Sequence, residues 1–139
     1  MARAQALIAY APIPLRLGLG LILLVHGAQK IFVLGPGQVA GYFANLGLEP
    51  SGLLAWVAIA VEFGGGVCLL LGLLTRLVGL LFAIEMAVAI WKYHAPQGFY
   101  VSQNSYGYEF AMLLIAGCLA LILAGPGRFA VDRPVGIEK

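Results

Sequence analysis

The sequence predicts an all-α fold: a four-transmembrane-helix antiparallel bundle with a short interfacial helix between helices 1 and 2. Three observations predict it. Of the 139 residues, 62% are hydrophobic and 10% are charged, against roughly 25% charged residues in a soluble domain. The apolar residues gather into four runs separated by Gly/Pro-containing or polar stretches, each run close to the ~20 residues that cross a hydrocarbon core of ~30 Å. The run from Leu53 to Leu74 carries one ionisable group besides Cys68, the acid Glu62, about halfway along. A carboxyl at that depth costs on the order of 2.5–3.5 kcal/mol on insertion scales, so it must turn inward, be neutral or find a partner.

Helix 1 is expected over about 13–34. Pro12 and Pro14 suit a helix start, where a missing amide proton costs nothing, and Gly35-Pro36-Gly37 stops it. Arg3 and Arg16 ahead of the apolar Leu17–Val25 resemble a secretory signal, but His26, Gln29 and Lys30 follow in place of a small-residue cleavage site, so the segment reads as a retained helix. The stretch from Gln38 to Ser51 is too short to span and carries interfacial aromatics, hence a surface-lying helix around Val39–Leu46. Helix 2 is expected over 52–74, entered through Pro50-Ser51. Gly72 to Arg76 makes a tight connection to helix 3, over 77–93. Ala95 to Gly107 has no hydrophobic period and reads as a loop outside the membrane. Helix 4 is expected over 108–124, ended by Gly125-Pro126-Gly127, with a polar cytoplasmic tail over 125–139. The whole of 1–139 reads as a single integral membrane domain.

Arg3, Arg16, Arg76, Arg128, Arg133 and Lys139 fall on the side that holds both termini, whereas Lys30 and Lys92 fall on the other. This asymmetry predicts a multi-pass protein of the inner (plasma) membrane with both termini cytoplasmic. Trp56, Trp91, Tyr93, Tyr106 and Tyr108 would form an outer aromatic belt. A net charge of +2 is too small to suggest nucleic acid, and no nucleic-acid partner is expected. Cys68 and Cys118 lie in apolar runs without a CxxC and read as buried thiols.

The polar residues fall into two groups by depth. Toward the outer half lie His26, Gln29 and Lys30 on helix 1, Glu62 on helix 2, Glu85 and Lys92 on helix 3, and His94 and Glu109 at the outer ends of helices 3 and 4. His26 and Lys30, four apart, share a helix face, as do Glu85 and Lys92, seven apart. Every helix thus sends an ionisable group into the same half. Gly64, Gly65 and Gly66 clear side chains from around Glu62, so that Gly65 and Gly66 offer a groove for a flat ligand or another backbone. The set reads as a ligand-binding cavity open to the extracytoplasmic side. On the other reading the residues are structural pairs, such as His26 with Glu62 and Lys30 with Glu109. One His with two Glu has no diagnostic metal spacing, so no metal is assigned. A quinone needs an apolar slot, one proton-donating side chain and access from lipid, and His26, Glu62 and the glycine groove supply these. The same acids would serve proton movement, and the sequence does not separate the two. No catalytic residue is assigned. The inner group, Arg16, Arg76, Arg128 and Asp132, is a structural charge cluster: Arg16 and Arg76 are expected to snorkel to lipid phosphates, or to pin the tail through Asp132.

Taken together, Arg16-Leu17-Gly18-Leu19-Gly20, His26-Gly27-Ala28-Gln29-Lys30-Ile31-Phe32, Glu62-Phe63-Gly64-Gly65-Gly66, Leu71 to Arg76 and Gly125 to Asp132 resemble the DoxX family of small membrane proteins, in order and over nearly the whole chain. The resemblance implies a four-helix membrane fold often found in redox systems. Members look like partner subunits of quinone-linked sulfur oxidoreductases, and others accompany oxidative-stress or metal-related gene products. Carried over position by position, the family's polar positions correspond to Arg16, His26, Lys30, Glu62, Arg76, His94, Arg128 and Asp132. Glu85 fits that pattern less clearly, and Ala130 stands where many relatives show Ser. The function expected is therefore a redox-associated subunit that binds a quinone-like or other small molecule, with a redox partner protein supplying or sharing any catalysis. The alternatives are a non-catalytic scaffold or a small transporter, and the glycine groove equally suits a homo-oligomer contact.

Overall fold

The computed structural model describes residues 7–137. Arg3 and Lys139, both counted in the charge asymmetry, lie outside the described residues. Helix α1 runs Pro12–Leu34, α2 Pro36–Asn45, α3 Ser51–Leu71 and α4 Thr75–Gln97. A two-stranded antiparallel hairpin follows, β1 Val101–Ser102 with β2 Ser105–Tyr106, then α5 Glu109–Ala124 and the short α6 Asp132–Val135. The all-α bundle with its short helix after the first span is the architecture expected. Helices α1, α3 and α4 are long and apolar enough to cross a membrane, while α5 has 16 residues, roughly 24 Å.

Local chemistry sets the boundaries. Proline opens α1 and α2, and Gly35 at φ 82° turns the chain sharply between them. The α3 terminus corrects the expectation of a helix to residue 74. Gly72, at φ 71°, donates its N–H to Leu69 O and Leu73 donates to Cys68 O, so two otherwise orphaned carbonyls are satisfied and the helix ends three residues early. Helix α4 in turn begins at Thr75 and continues to Gln97. The stretch read as a structureless loop is thus the last turn of α4 followed by a hairpin in register Val101 with Tyr106 and Ser102 with Ser105. Two paired residues per strand are too few to register as a period.

The core lies between α1, α3, α4 and α5, where Leu19, Leu23, Leu69, Val78, Phe82, Leu114, Cys118 and Leu121 are buried together. Helix α5 packs most extensively on α4. Helix α1 lies against α3 through glycines: a Cβ on Gly66 would stand 2.8 Å from Leu24 Cα and 2.9 Å from Gly20 O, and one on Gly27 would meet the Phe63 backbone. Such close approach is what small residues permit between membrane helices. Gly66→Leu is expected to push α1 and α3 apart and destabilise the fold by about 1–3 kcal/mol or more, read as a lower melting temperature in detergent. A melting temperature equal to wild type would show that the two helices are not held at this distance. Around the core, Phe32, Val33, Leu113 and Leu123 are among many exposed large apolar side chains, the surface a lipid bilayer covers.

The inner charge cluster departs from the snorkelling expected of Arg16. Arg16 is 3% exposed, and its guanidinium donates to Pro126 O at 2.6 Å and to Phe129 O at 3.2 Å. Asp132 is fully buried, feels the Arg16 charge, and donates its backbone N–H to Gly72 O. Arg16 therefore binds the segment after α5 against the α3–α4 turn, but through the carbonyls of Pro126 and Phe129 and not through the Asp132 carboxylate, neither oxygen of which accepts a hydrogen bond. Membrane depth suggested lipid phosphate as the partner because sequence alone does not show the carbonyls that the Gly125-Pro126-Gly127 turn presents. Arg76 donates to Ile122 O at 2.7 Å, and Arg128 donates to the Tyr10 hydroxyl at 3.1 Å while lying over its ring.

Candidate functional site

Three stretches of π-helix interrupt the spanning helices among the described residues: Gln29–Leu34 in α1, Ala60–Gly64 in α3 and Ile90–His94 in α4. A π turn widens the helix, offsets the side chains that follow it, and is frequent at functional sites. Here the three stretches hold Lys30, Glu62, and Lys92 with Tyr93 and His94, all of which line one cavity of about 980 Å³. This end of the bundle is the one opposite Arg16, Gly72 and Asp132.

At the heart of the cavity Lys30 Nζ donates to Glu62 Oε2 at 2.5 Å. Both side chains are largely buried, at 18% and 5% exposed, and burial makes such a charge-assisted bond strong only when both partners are present. The pairing differs from the His26–Glu62 and Lys30–Glu109 pairs considered from sequence. Glu85 stands beside both Lys30 and Glu62, and its Oε2 is buried without a hydrogen-bond partner. His26 also lines the cavity, with Nδ1 bonded to Ile22 O at 2.9 Å. A carbonyl only accepts, so Nδ1 carries the proton, which leaves Nε2 as the ring nitrogen that faces other partners. His94 is held likewise, Nδ1 donating to Tyr106 O at 2.5 Å.

The remaining wall is apolar and aromatic. Tyr42, on α2, meets Tyr93 edge to face with ring centroids 5.9 Å apart, and Tyr93 stacks on Tyr106 at 6.4 Å. Burial pushes the Tyr42 phenol up to about 12, the neighbouring Tyr93 adding to the shift, so it remains a neutral hydroxyl. Sequence reasoning missed Tyr42 as a site residue and placed Tyr93 in the lipid belt. The available signal was the pair of aromatics, Tyr42 and Phe43, in a segment too short to span. The first half of α3, Ser51–Ile59, packs chiefly on α2, and α4 meets α3 from Ala60 onward. A wedge therefore opens between α3 and α4, and the cavity-lining Val57, Leu81 and Ile84 are 49%, 41% and 53% exposed.

Of the residues read as ligand-binding, the structure brings together His26, Lys30, Glu62, Glu85 and His94. It does not bring in the rest. Glu109 accepts a hydrogen bond from Val101 N–H at 2.7 Å, tying the hairpin to the start of α5, and lines an adjoining surface recess with Phe110 and Leu113. A Cβ on Gly65 would meet Val78 and Leu23, and Gly66 abuts α1, so these glycines face neighbouring helices and not the cavity.

The DoxX family profile matches residues 11–95, which include His26, Lys30, Glu62, Glu85 and His94. The chain belongs to the DoxX family. Among the relatives of this DoxX chain are the "Uncharacterized membrane protein Rv3486" of Mycobacterium tuberculosis, 33% identical over 86% of this chain and 77% of the relative, and the "Putative oxidoreductase CatD" of Bacillus subtilis, 37% identical over 85% of this chain and 81% of the relative. The "Inner membrane protein YqjF" of Escherichia coli is 29% identical over 71% of this chain and 78% of the relative. No solved structure matches the DoxX chain. Family membership, the spanning helices and the inner-membrane relatives make it a membrane protein.

Proposed function

We propose that this DoxX protein is a redox-associated membrane subunit that binds a quinone-like molecule in the Lys30–Glu62–Glu85 cavity, with a partner protein supplying or sharing the electron transfer. The observation that carries the reading is the cavity itself. Its volume of about 980 Å³ lies at the upper end of the ~300–1,000 Å³ typical of ligand sites, room for a ring and part of a hydrocarbon tail. Its walls are mostly apolar, a few polar groups converge on it, and its wedge between α3 and α4 suits entry from lipid. The relative described as an oxidoreductase supports the redox setting.

The cavity end is assigned to the extracytoplasmic half of the membrane and both termini to the cytoplasm, because Arg16, Arg76, Arg128 and Arg133 all sit toward the opposite end. His26 Nε2 and the Tyr42 hydroxyl supply further polar contacts in the cavity. The subunit itself carries no assigned catalytic residue.

The protein extracted from its native membrane in mild detergent is expected to carry quinone detectable by mass spectrometry, and added decylubiquinone is expected to raise its melting temperature. Glu62→Gln weakens that stabilisation by loosening Lys30. Absence of co-extracted quinone, together with a melting temperature unmoved by the added compound in both proteins, would refute the reading.

A further inference from the structure

We infer that the segment after α5 is a membrane-interface anchor: at the end of the bundle opposite the cavity, Arg128 and Arg133 bind anionic phospholipid headgroups while Phe129, Val131 and Val135 enter the adjoining acyl region. The inference needs the protein to sit in a bilayer and does not rest on the ligand proposed above.

Backbone pairing puts the segment at the depth this requires. Arg128 donates its N–H to Ala9 O, just ahead of α1, and Val131 and Asp132 donate theirs to Leu71 O and Gly72 O, where α3 ends. The stretch expected as a polar tail thus lies across the level at which the spanning helices leave the hydrocarbon. Burial alternates along it. Ala130 and Asp132 are buried, whereas Arg128, Phe129, Val131, Arg133 and Val135 are exposed. The exposed side is therefore apolar and cationic together, the combination by which a segment lies in a membrane interface.

Two features say what covers that side. The first is charge. Both arginines are exposed while the acid of the segment, Asp132, is fully buried, and the other described acids, Glu49, Glu62, Glu85 and Glu109, belong to the cavity end. An exposed cationic patch at bilayer level, with no exposed acid beside it among the described residues, complements anionic headgroups. The second is Phe129. Its φ of 55° lies in the left-handed region, which is strained for a residue with a side chain and free for glycine. Its ring is nonetheless 79% exposed, 6.0 Å from that of Tyr10, over which the Arg128 guanidinium lies. An aromatic held in strain gains nothing from water, whereas an interface takes up such rings beside arginine.

The test reconstitutes the full chain in nanodiscs of phosphatidylcholine alone and of phosphatidylcholine with phosphatidylglycerol. Hydrogen exchange over 128–137 is expected to be slower with phosphatidylglycerol, and the difference to vanish in 1 M NaCl, where the Debye length falls to ~3 Å. Native mass spectrometry of protein released from the mixed bilayer is expected to show phosphatidylglycerol retained in preference to phosphatidylcholine. Arg133→Gln should weaken that preference about five-fold, and Arg128→Gln/Arg133→Gln by about a further five-fold. Arg128→Lys/Arg133→Lys should keep it, and Phe129→Ser/Val135→Ser should speed exchange over 128–137 in both lipids. Arg128 also holds the Tyr10 hydroxyl, so if its variants fail to fold, Arg133→Gln alone decides. A wild type whose exchange ignores lipid charge, or an arginine variant with unchanged preference, overturns the anchor. So does exchange that slows only as the number of chains per nanodisc rises, which would put a second copy on this face.

Discussion

Arg16→Met is expected to destabilise the protein by about 3–5 kcal/mol, the cost of leaving a buried charge and its hydrogen-bonding partners unmatched. Three groups lose their match at once: the carbonyls of Pro126 and Phe129 lose their donors, and the fully buried Asp132 loses the positive charge beside it. Because these groups belong to the segment after α5, the effect should appear first as release of that segment, read as faster proteolysis beyond Gly125, and then as a lower melting temperature in detergent. Arg16→Lys should recover only part of the loss, since a single ammonium cannot reach two carbonyls with the geometry of a guanidinium. Adding Asp132→Asn to Arg16→Met should cost less than the two single losses summed, because the second change removes the charge the first has orphaned. Strict additivity would show that Asp132 does not depend on Arg16.

Lys30→Met should have the second largest effect. It leaves Glu62 without its cation at membrane depth, where an acid costs about 2.5–3.5 kcal/mol on insertion scales. The double variant Lys30→Met/Glu62→Leu should recover much of the stability, because it removes the acid together with its partner. Melting curves in the same detergent test both statements. A double variant no more stable than Lys30→Met would mean that the lysine holds the fold by packing alone.

Much of the bundle could be read from the chain because membrane helices obey two strong constraints. Every backbone polar group in hydrocarbon must be satisfied within the segment, and the length of the apolar run must match the bilayer. Pro12, Gly35-Pro36, Pro50-Ser51, Gly72 and Gly125-Pro126 punctuate those runs, so the spans were legible to within a few residues. The hairpin at 101–106 was not, because its side chains follow no period and its pairing is decided by contacts with Gln97, His94 and Glu109.

The candidate site was legible as a set of residues and not as a geometry. Depth along each helix brought His26, Lys30, Glu62, Glu85 and His94 into the same half, and the structure places all five on one cavity. Depth could not say which acid the lysine would choose. It also gave Gly65, Gly66 and Glu109 the same standing as the cavity residues, although the glycines serve helix contact and the acid serves the hairpin. Rotation about a helix axis is what separates these cases, and the π stretches change that rotation locally without any mark in the hydropathy pattern.

The amino-acid sequence by itself determined that this is a membrane-embedded helical bundle, where its helices begin and end to within a few residues, and that ionisable groups from different helices share one half of it. Those properties are summed along the chain, residue by residue, as transfer from water to hydrocarbon. Only the tertiary structure decided that Lys30 pairs with Glu62, that Glu85 is left with an unpartnered oxygen, that Tyr42 closes the wall and that Arg16 holds the segment after α5. Each of these depends on the distance between side chains brought together from separate helices, and electrostatic and hydrogen-bond energies at a few ångströms change too steeply with distance to be set by position along a helix alone.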